Sequence, residues 1–329
     1  MELAFAIGLV FIGFMLLIWS ADLLVDNASE LASRMGVSTF LVGIIVVGFG
    51  TSAPELFVSA MAAIQDKGNL ALGNALGSNI TNIGLVLGSA ALVRSLPINS
   101  YTARVDLPLV IASGVISIVM VMDGLLSKFD GILLLVLLCA YLYWSAKHSK
   151  GAGGEMQIDE SVVDPHDLDL SHLHHPKGKS KASAALFTGV SIVLLMVASQ
   201  MLVKGAISIA EYLGVGELVI GLTIVAIGTS LPELAAAIAA ARKGVHDMII
   251  GNVIGSNVFN TLGVLGVTGT IRATDIDTDA LWRDFPIMFL FTVAMFIFAL
   301  SKGSFSRTEG GIMLVGYFSY IAFLVVSAV

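Results

Sequence analysis

The amino-acid sequence predicts an all-α integral membrane protein of ten transmembrane helices, arranged as two inverted-topology five-helix repeats. Three observations predict it. Of 329 residues, 57% are hydrophobic and 12% charged, with a mean hydropathy of +0.93, too apolar for a water-soluble domain of this length. Ten stretches approach the roughly 20 apolar residues that cross a bilayer, five on each side of one polar segment. Finally, the two sets of five align with each other.

The first stretch, 3–26, follows Glu2 instead of a basic region and lacks a cleavage site, so it reads as a retained span and not a signal peptide. Spans at 37–65, 69–93, 104–123 and 128–147 complete a first repeat over 1–146. A polar loop over 147–183 carries Gly151, Gly153, Gly154, acids from Glu155 to Asp169, and Lys177, Lys179 and Lys181, the composition of a flexible segment outside the bilayer. Spans at 184–210, 215–243, 247–271, 281–301 and 306–328 make the second repeat, 184–329.

The net charge is -7 and the 17 Lys and Arg are scattered, so nucleic acid is not an expected partner. The single Cys139 can form no internal disulfide. Lys and Arg concentrate in cytosolic loops. With both termini outside, 12 of these residues fall inside and 5 outside, or 7 and 5 without the central loop. The expected placement is therefore the cell membrane, with external termini and a cytosolic central loop.

Gly43 to Gly88 aligns without gaps on Gly221 to Gly266 at an offset of 178 residues, with 19 identities in 46 positions. Asp106 and Pro108 match Asp284 and Pro286 at the same offset, so whole halves are duplicated. Five spans per half is an odd number, so the second half enters the membrane from the opposite face. Inverted repeats are a transporter signature, because exchanging the halves' conformations opens the protein to the other side.

The densest identities are Gly50-Thr51-Ser52-Ala53-Pro54-Glu55 against Gly228-Thr229-Ser230-Leu231-Pro232-Glu233. Glu55 lies eighteen residues after Val37 and eleven before Asp66, deep in a hydrocarbon core about 30 Å thick. A carboxylate there costs about 2.5–3.5 kcal/mol on insertion scales and is functional by default. Proline, lacking an N–H, should break each helix, freeing backbone carbonyls near Gly48 and Ala226 beside the hydroxyls of Thr51, Ser52, Thr229 and Ser230. Irregular backbone at this depth is tolerated where it lines a site. Carbonyl, hydroxyl and carboxylate oxygens are ligands for hard cations such as calcium and sodium.

The following spans repeat Gly73-Asn74, Gly77-Ser78-Asn79 and Asn82 as Gly251-Asn252, Gly255-Ser256-Asn257 and Asn260. Ser78 and Asn82 share a helix face, as do Ser256 and Asn260, and can add neutral oxygens. The competing role is hydrogen bonding between helices, the expected role of Asn74 and Asn252.

At these residues the chain resembles the calcium/cation antiporter superfamily, the sodium/calcium exchangers and their prokaryotic relatives. Gly-Thr-Ser-x-Pro-Glu followed by Gly-Ser-Asn, present twice, is similar to that family's alpha repeats, and the resemblance covers the chain apart from the central loop. It implies a ten-helix fold, a site between spans 2, 3, 7 and 8, and spans 1 and 6 as a moving gate. It also implies the ligands Thr51, Ser52, Glu55, Ser78 and Asn82 with Thr229, Ser230, Glu233, Ser256 and Asn260. Some sodium-coupled members carry Asp where this sequence has Asn260, so the coupling ion is less constrained than calcium.

The expected activity is secondary active exchange of calcium for sodium, toward calcium export, with no cofactor, no enzymatic reaction, and function as a monomer in the lipid bilayer. A calcium/proton exchanger using the same glutamates is the alternative. A membrane hydrolase would need a nucleophile–base pair, and Ser52 and Ser230 have no His in the spans; a passive channel has no need of inverted repeats. The loop residues Asp164, His166, Asp167, Asp169, His172, His174 and His175 read as solvated linker, without a structural zinc spacing. Asp22 and Asp26 are expected to snorkel at the interface.

Overall fold

A computed structural model describes residues 2–148, 180–214 and 226–328. Residues 149–179 of the polar loop, with its Asp and His cluster, and the start of the seventh predicted span lie outside these described residues, while the loop's predicted edges, 147–148 and 181–183, are helical.

Twelve helical segments account for the spans among the described residues. They are α1 (Glu2–Met35), α2 (Thr39–Thr51), α3 (Ala53–Ile64), α4 (Gly68–Val93), α5 (Thr102–Val121), α6 (Lys128–His148), α7 (Lys181–Tyr212), α8 (Ala226–Thr229), α9 (Leu231–Arg242), α10 (His246–Ile271), α11 (Ala280–Ser301) and α12 (Arg307–Ala328). Eight are long and apolar enough to cross a membrane singly, and α2 with α3, bent by 43°, makes a ninth. Helices α8 and α9 are the described part of the seventh predicted span.

The first helix runs nine residues past the predicted end at 26. Its polar extension remains helical, with Glu30 and Arg34 paired one turn apart at 2.6 Å, until Gly36 turns the chain at φ +66°. Its repeat equivalent, Gly214, turns the chain just after α7 at φ +78°. A second such pair is unequal: Gly244, at φ +72°, matches Asp66, at φ +63°. Asp66 is held there by Arg272, whose Nε and Nη2 donate at 2.6 and 2.9 Å.

Burial sorts the helices into layers. The most apolar stretch of α10 is wholly buried, against only about a fifth of that of α1. Packing of α10 on α2 is backbone against backbone. A Cβ added at Gly43 would lie 2.7 Å from the Met248 carbonyl, and one at Gly255 would lie 2.5 Å from that of Ile44. Glycine at these points allows the close approach that membrane helices use in place of a hydrophobic driving force.

The outer helices α1 and α7 run antiparallel: Gly13 abuts Ala198 and Leu202, while Gly205 abuts Ala6 and Val10. Two short strand pairs tie the halves together. Strand β1 (Leu96–Pro97) pairs antiparallel with β4 (Ser304–Phe305), and β2 (Leu125–Leu126) with β3 (Thr274–Asp275). Each pair takes one strand from each repeat, and the two pairs exchange under the duplication.

Departures from α-helical geometry also repeat. Segments of π-helix occur at Gly43–Gly48 in α2, Asn82–Leu87 in α4, Thr102–Asp106 in α5, Phe259–Val264 in α10 and Ala280–Asp284 at the start of α11. Such bulges concentrate at functional sites, and two of them contain Asn82 and Asn260.

Candidate functional site: two buried carboxylates at paired helix breaks

Helix breaks fall at repeat-related serines with nearly the same backbone, Ser52 at φ -86°, ψ 6° and Ser230 at φ -91°, ψ 8°. Proline sits in the first turn of the helix that follows each break, where its missing N–H does no harm. Pro54 thus cannot close a turn on Gly50, four residues back. Glu55 and Glu233 stand in the first turns of α3 and α9, where the helix dipole favours a negative charge.

The two breaks face each other across the pseudo-symmetric core. Glu55 is fully buried and Glu233 is 1% exposed, and each carboxylate lies within electrostatic reach of the other. The hydroxyl of Ser52 donates to Glu233 Oε1 at 3.2 Å, with Thr51 beside the same carboxylate. Thr51 also donates to the Val47 carbonyl at 2.9 Å. Ser78 lies beside Glu55. Thus α2, α3, α4 and α9 converge on one point.

Many polar atoms of the residues singled out in the sequence are buried without a hydrogen-bond partner. They are both carboxylate oxygens of Glu55, Oε2 of Glu233, the hydroxyls of Thr229 and Ser230, and both amide atoms of Asn82 and of Asn260. Buried polar groups are normally satisfied, and in a membrane core the penalty for leaving them unpaired is severe. Together these residues offer two carboxyl groups and a surplus of hard oxygen acceptors, the kind of donor set that binds alkali and alkaline-earth cations.

Other predicted site atoms are already engaged. The Gly48 carbonyl accepts from the Ser52 amide at 3.2 Å and from the Ser256 hydroxyl at 3.3 Å. The expectation that Pro54 would free this carbonyl therefore needs correction, because the proline acts on Gly50, two residues later. In the second half, the Ser230 amide closes on Ile227 at 3.1 Å, not on the residue four back, Ala226. Asn74 bridges helices, donating to the Glu55 carbonyl at 3.0 Å and to Ser59 Oγ at 2.9 Å. Its counterpart Asn252 accepts from Ser256 at 3.4 Å within its own helix.

Three supporting contacts are not evident in the sequence motifs. Asn79 donates to Thr261 Oγ1 at 2.7 Å, joining α4 to α10. Ser199 on α7 donates to the Gly228 carbonyl at 2.7 Å, so an outer helix touches the break itself; the only sequence hint is a hydroxyl inside an apolar run. Lys243, just after α9, meets Asp26 Oδ1 at 2.7 Å and the Asp22 carbonyl at 2.8 Å. The two aspartates of α1 therefore bind the end of α9, and Asp26 remains largely exposed.

The family model described as sodium/calcium exchanger protein matches residues 5–147 and 183–326. The inner membrane protein YrbG of Escherichia coli is 40% identical over 316 residues, covering 95% of this chain and 94% of YrbG. The sodium/calcium exchanger MaX1 of Methanosarcina acetivorans is 30% identical over 343 residues, covering 97% of each. Among solved structures, the sodium-calcium exchanger NCX_Mj soaked with sodium and strontium superposes with a TM-score of 0.82 at 28% identity, covering 97% of this chain and 98% of that one.

Proposed function

The chain belongs to the sodium/calcium exchanger family, and we propose that it exchanges calcium for sodium across the cell membrane by alternating access, in the direction of calcium export. The observation that carries this reading is the set of buried, unpartnered oxygens around Glu55 and Glu233. In this reading the ions are held by those carboxylates, by the hydroxyls of Thr51, Ser52, Ser78, Thr229, Ser230 and Ser256, and by the amide oxygens of Asn82 and Asn260. The Ala226 and Gly48 carbonyls complete the set, Gly48 only when the Ser256 hydroxyl turns away from it.

Charge explains why exchange is obligatory. Two ionised glutamates balance one divalent cation or a pair of monovalent ones, and carrying the bare pair through an occluded state is too costly. When the two loads differ in charge, the membrane potential contributes about 2.3 kcal/mol per charge per 100 mV. The lipid-facing pair α1 and α7 is the element free to slide against the core made by both repeats, 1–146 and 184–329. With external termini, the loop 147–183 is cytosolic. A monomer suffices, because one chain supplies both halves of the site.

Calcium uptake by proteoliposomes tests this. Sodium-loaded vesicles diluted into sodium-free buffer should accumulate calcium, and potassium-loaded ones should not. Uptake driven by a pH gradient without sodium would instead establish calcium/proton exchange, a reading supported by the neutrality of both Asn82 and Asn260. Uptake without any counter-ion gradient would refute exchange altogether.

A further inference from the structure

The duplication places a second acid in each half, and the two are neutralised differently. In the second half, Asp284 near the start of α11 accepts from Arg283 Nε at 2.7 Å and Nη2 at 3.1 Å, and from the Tyr320 hydroxyl at 2.9 Å. Its repeat partner at the offset of 178 is Asp106, one turn into α5; at the offset of 179 that relates β2 to β4, the partner of Tyr320 is Tyr141 on α6. The partner of Arg283, however, is Val105. The first half therefore keeps the acid and the phenol and lacks the fixed cation.

Asp106 is also the more deeply placed of the two, 2% exposed. Its Oδ2, the hydroxyl of Tyr141 and Oγ of Ser145 are all buried without a hydrogen-bond partner. Tyr141 lies within electrostatic reach of Asp106 and beside Ser145, and Thr102 places its hydroxyl beside the same carboxyl. Tyr101 is the other titratable group near it. No Lys, Arg or His forms an ion pair with Asp106 among the described residues, and Arg104 on the same turn is exposed. One residue further on, Leu107 lines a small apolar cavity with Leu87, Ile98, Ile250, Val253, Ile254 and Met295.

A buried carboxylate without a counter-charge is strongly destabilising. Thr102 and Tyr141 thus stand beside the Asp106 carboxyl, and Ser145 beside Tyr141, in the half that has Val105 in place of Arg283. We propose that Asp106, Thr102, Tyr141 and Ser145 form a second cation site, separate from the two-glutamate centre, that takes one monovalent cation, sodium or a proton, in the role Arg283 plays for Asp284.

Thermal unfolding of the full-length protein carrying Glu55→Gln and Glu233→Gln tests this with the two-glutamate centre neutralised. Sodium replacing choline at constant ionic strength, and separately acidification in choline, are the two probes. The midpoint should rise by about 3 °C across a saturating range of one of them. Asp106→Asn should abolish that dependence, and Tyr141→Phe should weaken the apparent affinity at least about threefold. Val105→Arg should reproduce the cation-bound stability and remove the dependence. A response to sodium at fixed pH identifies sodium as the ligand; a response to pH alone identifies the proton. The proposal is overturned if neither probe shifts the midpoint, or if the shift survives Asp106→Asn or Val105→Arg; ordered water would then satisfy the cluster.

Discussion

Replacing Glu233 with Gln changes one buried oxygen to an amide and little else in volume, so its effect reports charge. The Ser52 hydroxyl that donates to Glu233 Oε1 at 3.2 Å can donate equally to an amide oxygen, which keeps the break intact. Removing one partner of a buried charge pair costs about 3–5 kcal/mol, which at 1.36 kcal/mol per tenfold step is roughly a 150- to 5,000-fold loss of calcium affinity. Without ion, the same change relieves repulsion between two buried carboxylates, so the unfolding midpoint should hold or rise. Isothermal titration with calcium, beside a thermal melt in chelator, reads both quantities. Glu55→Gln should behave alike, and the double variant should lose less than the sum of the two, because both groups hold the same ion. Calcium affinity within threefold of the parent in either single variant would refute the assignment of these carboxylates.

Further outcomes follow from particular contacts. Ser52→Ala removes the hydroxyl on Glu233 and should lower calcium affinity by about 1.5–3 kcal/mol, roughly 10- to 150-fold, by the same titration. Gly255→Ala drives a methyl into the Ile44 backbone; a cost of about 1–3 kcal/mol should appear as a lower melting midpoint. By contrast, Gly311→Ala in α12, with nothing within 4 Å, should be neutral or stabilising by up to about 1 kcal/mol in the same melt. Lys243→Met breaks a partly exposed clamp on Asp22 and Asp26, so its effect on stability should stay under about 1 kcal/mol and vanish in high salt.

The spans were legible because apolar length is a one-dimensional property, and the symmetric polar motifs because charge in a membrane is conspicuous. The helix break at Pro54 was legible too, although which carbonyl it deprives depends on counting four residues back from the proline and not on its neighbours. The π-helical segments around Asn82 and Asn260 were hidden, since they arise from how side chains seat against other helices. The strand pairs were also hidden: each is two residues long, and its partners lie about 150 or 210 positions apart in the chain. Likewise, nothing in the run around Ser199 says that its hydroxyl reaches the Gly228 carbonyl.

The length and exposure of α1 and α7 make the bilayer a participant in any motion of that pair. At about 1.5 Å per residue, their 34 and 32 residues extend to roughly 50 Å, against a hydrocarbon layer of about 30 Å. Such helices meet the layer by tilting, and their outward surfaces touch acyl chains and not protein. A change of tilt therefore exchanges lipid contacts for other lipid contacts, at a fraction of a kcal/mol per ångström of mismatch. In the proposed exchange by alternating access, membrane thickness would thereby enter the equilibrium between the arrangements of the two halves, and vesicles of different acyl-chain length would set it differently.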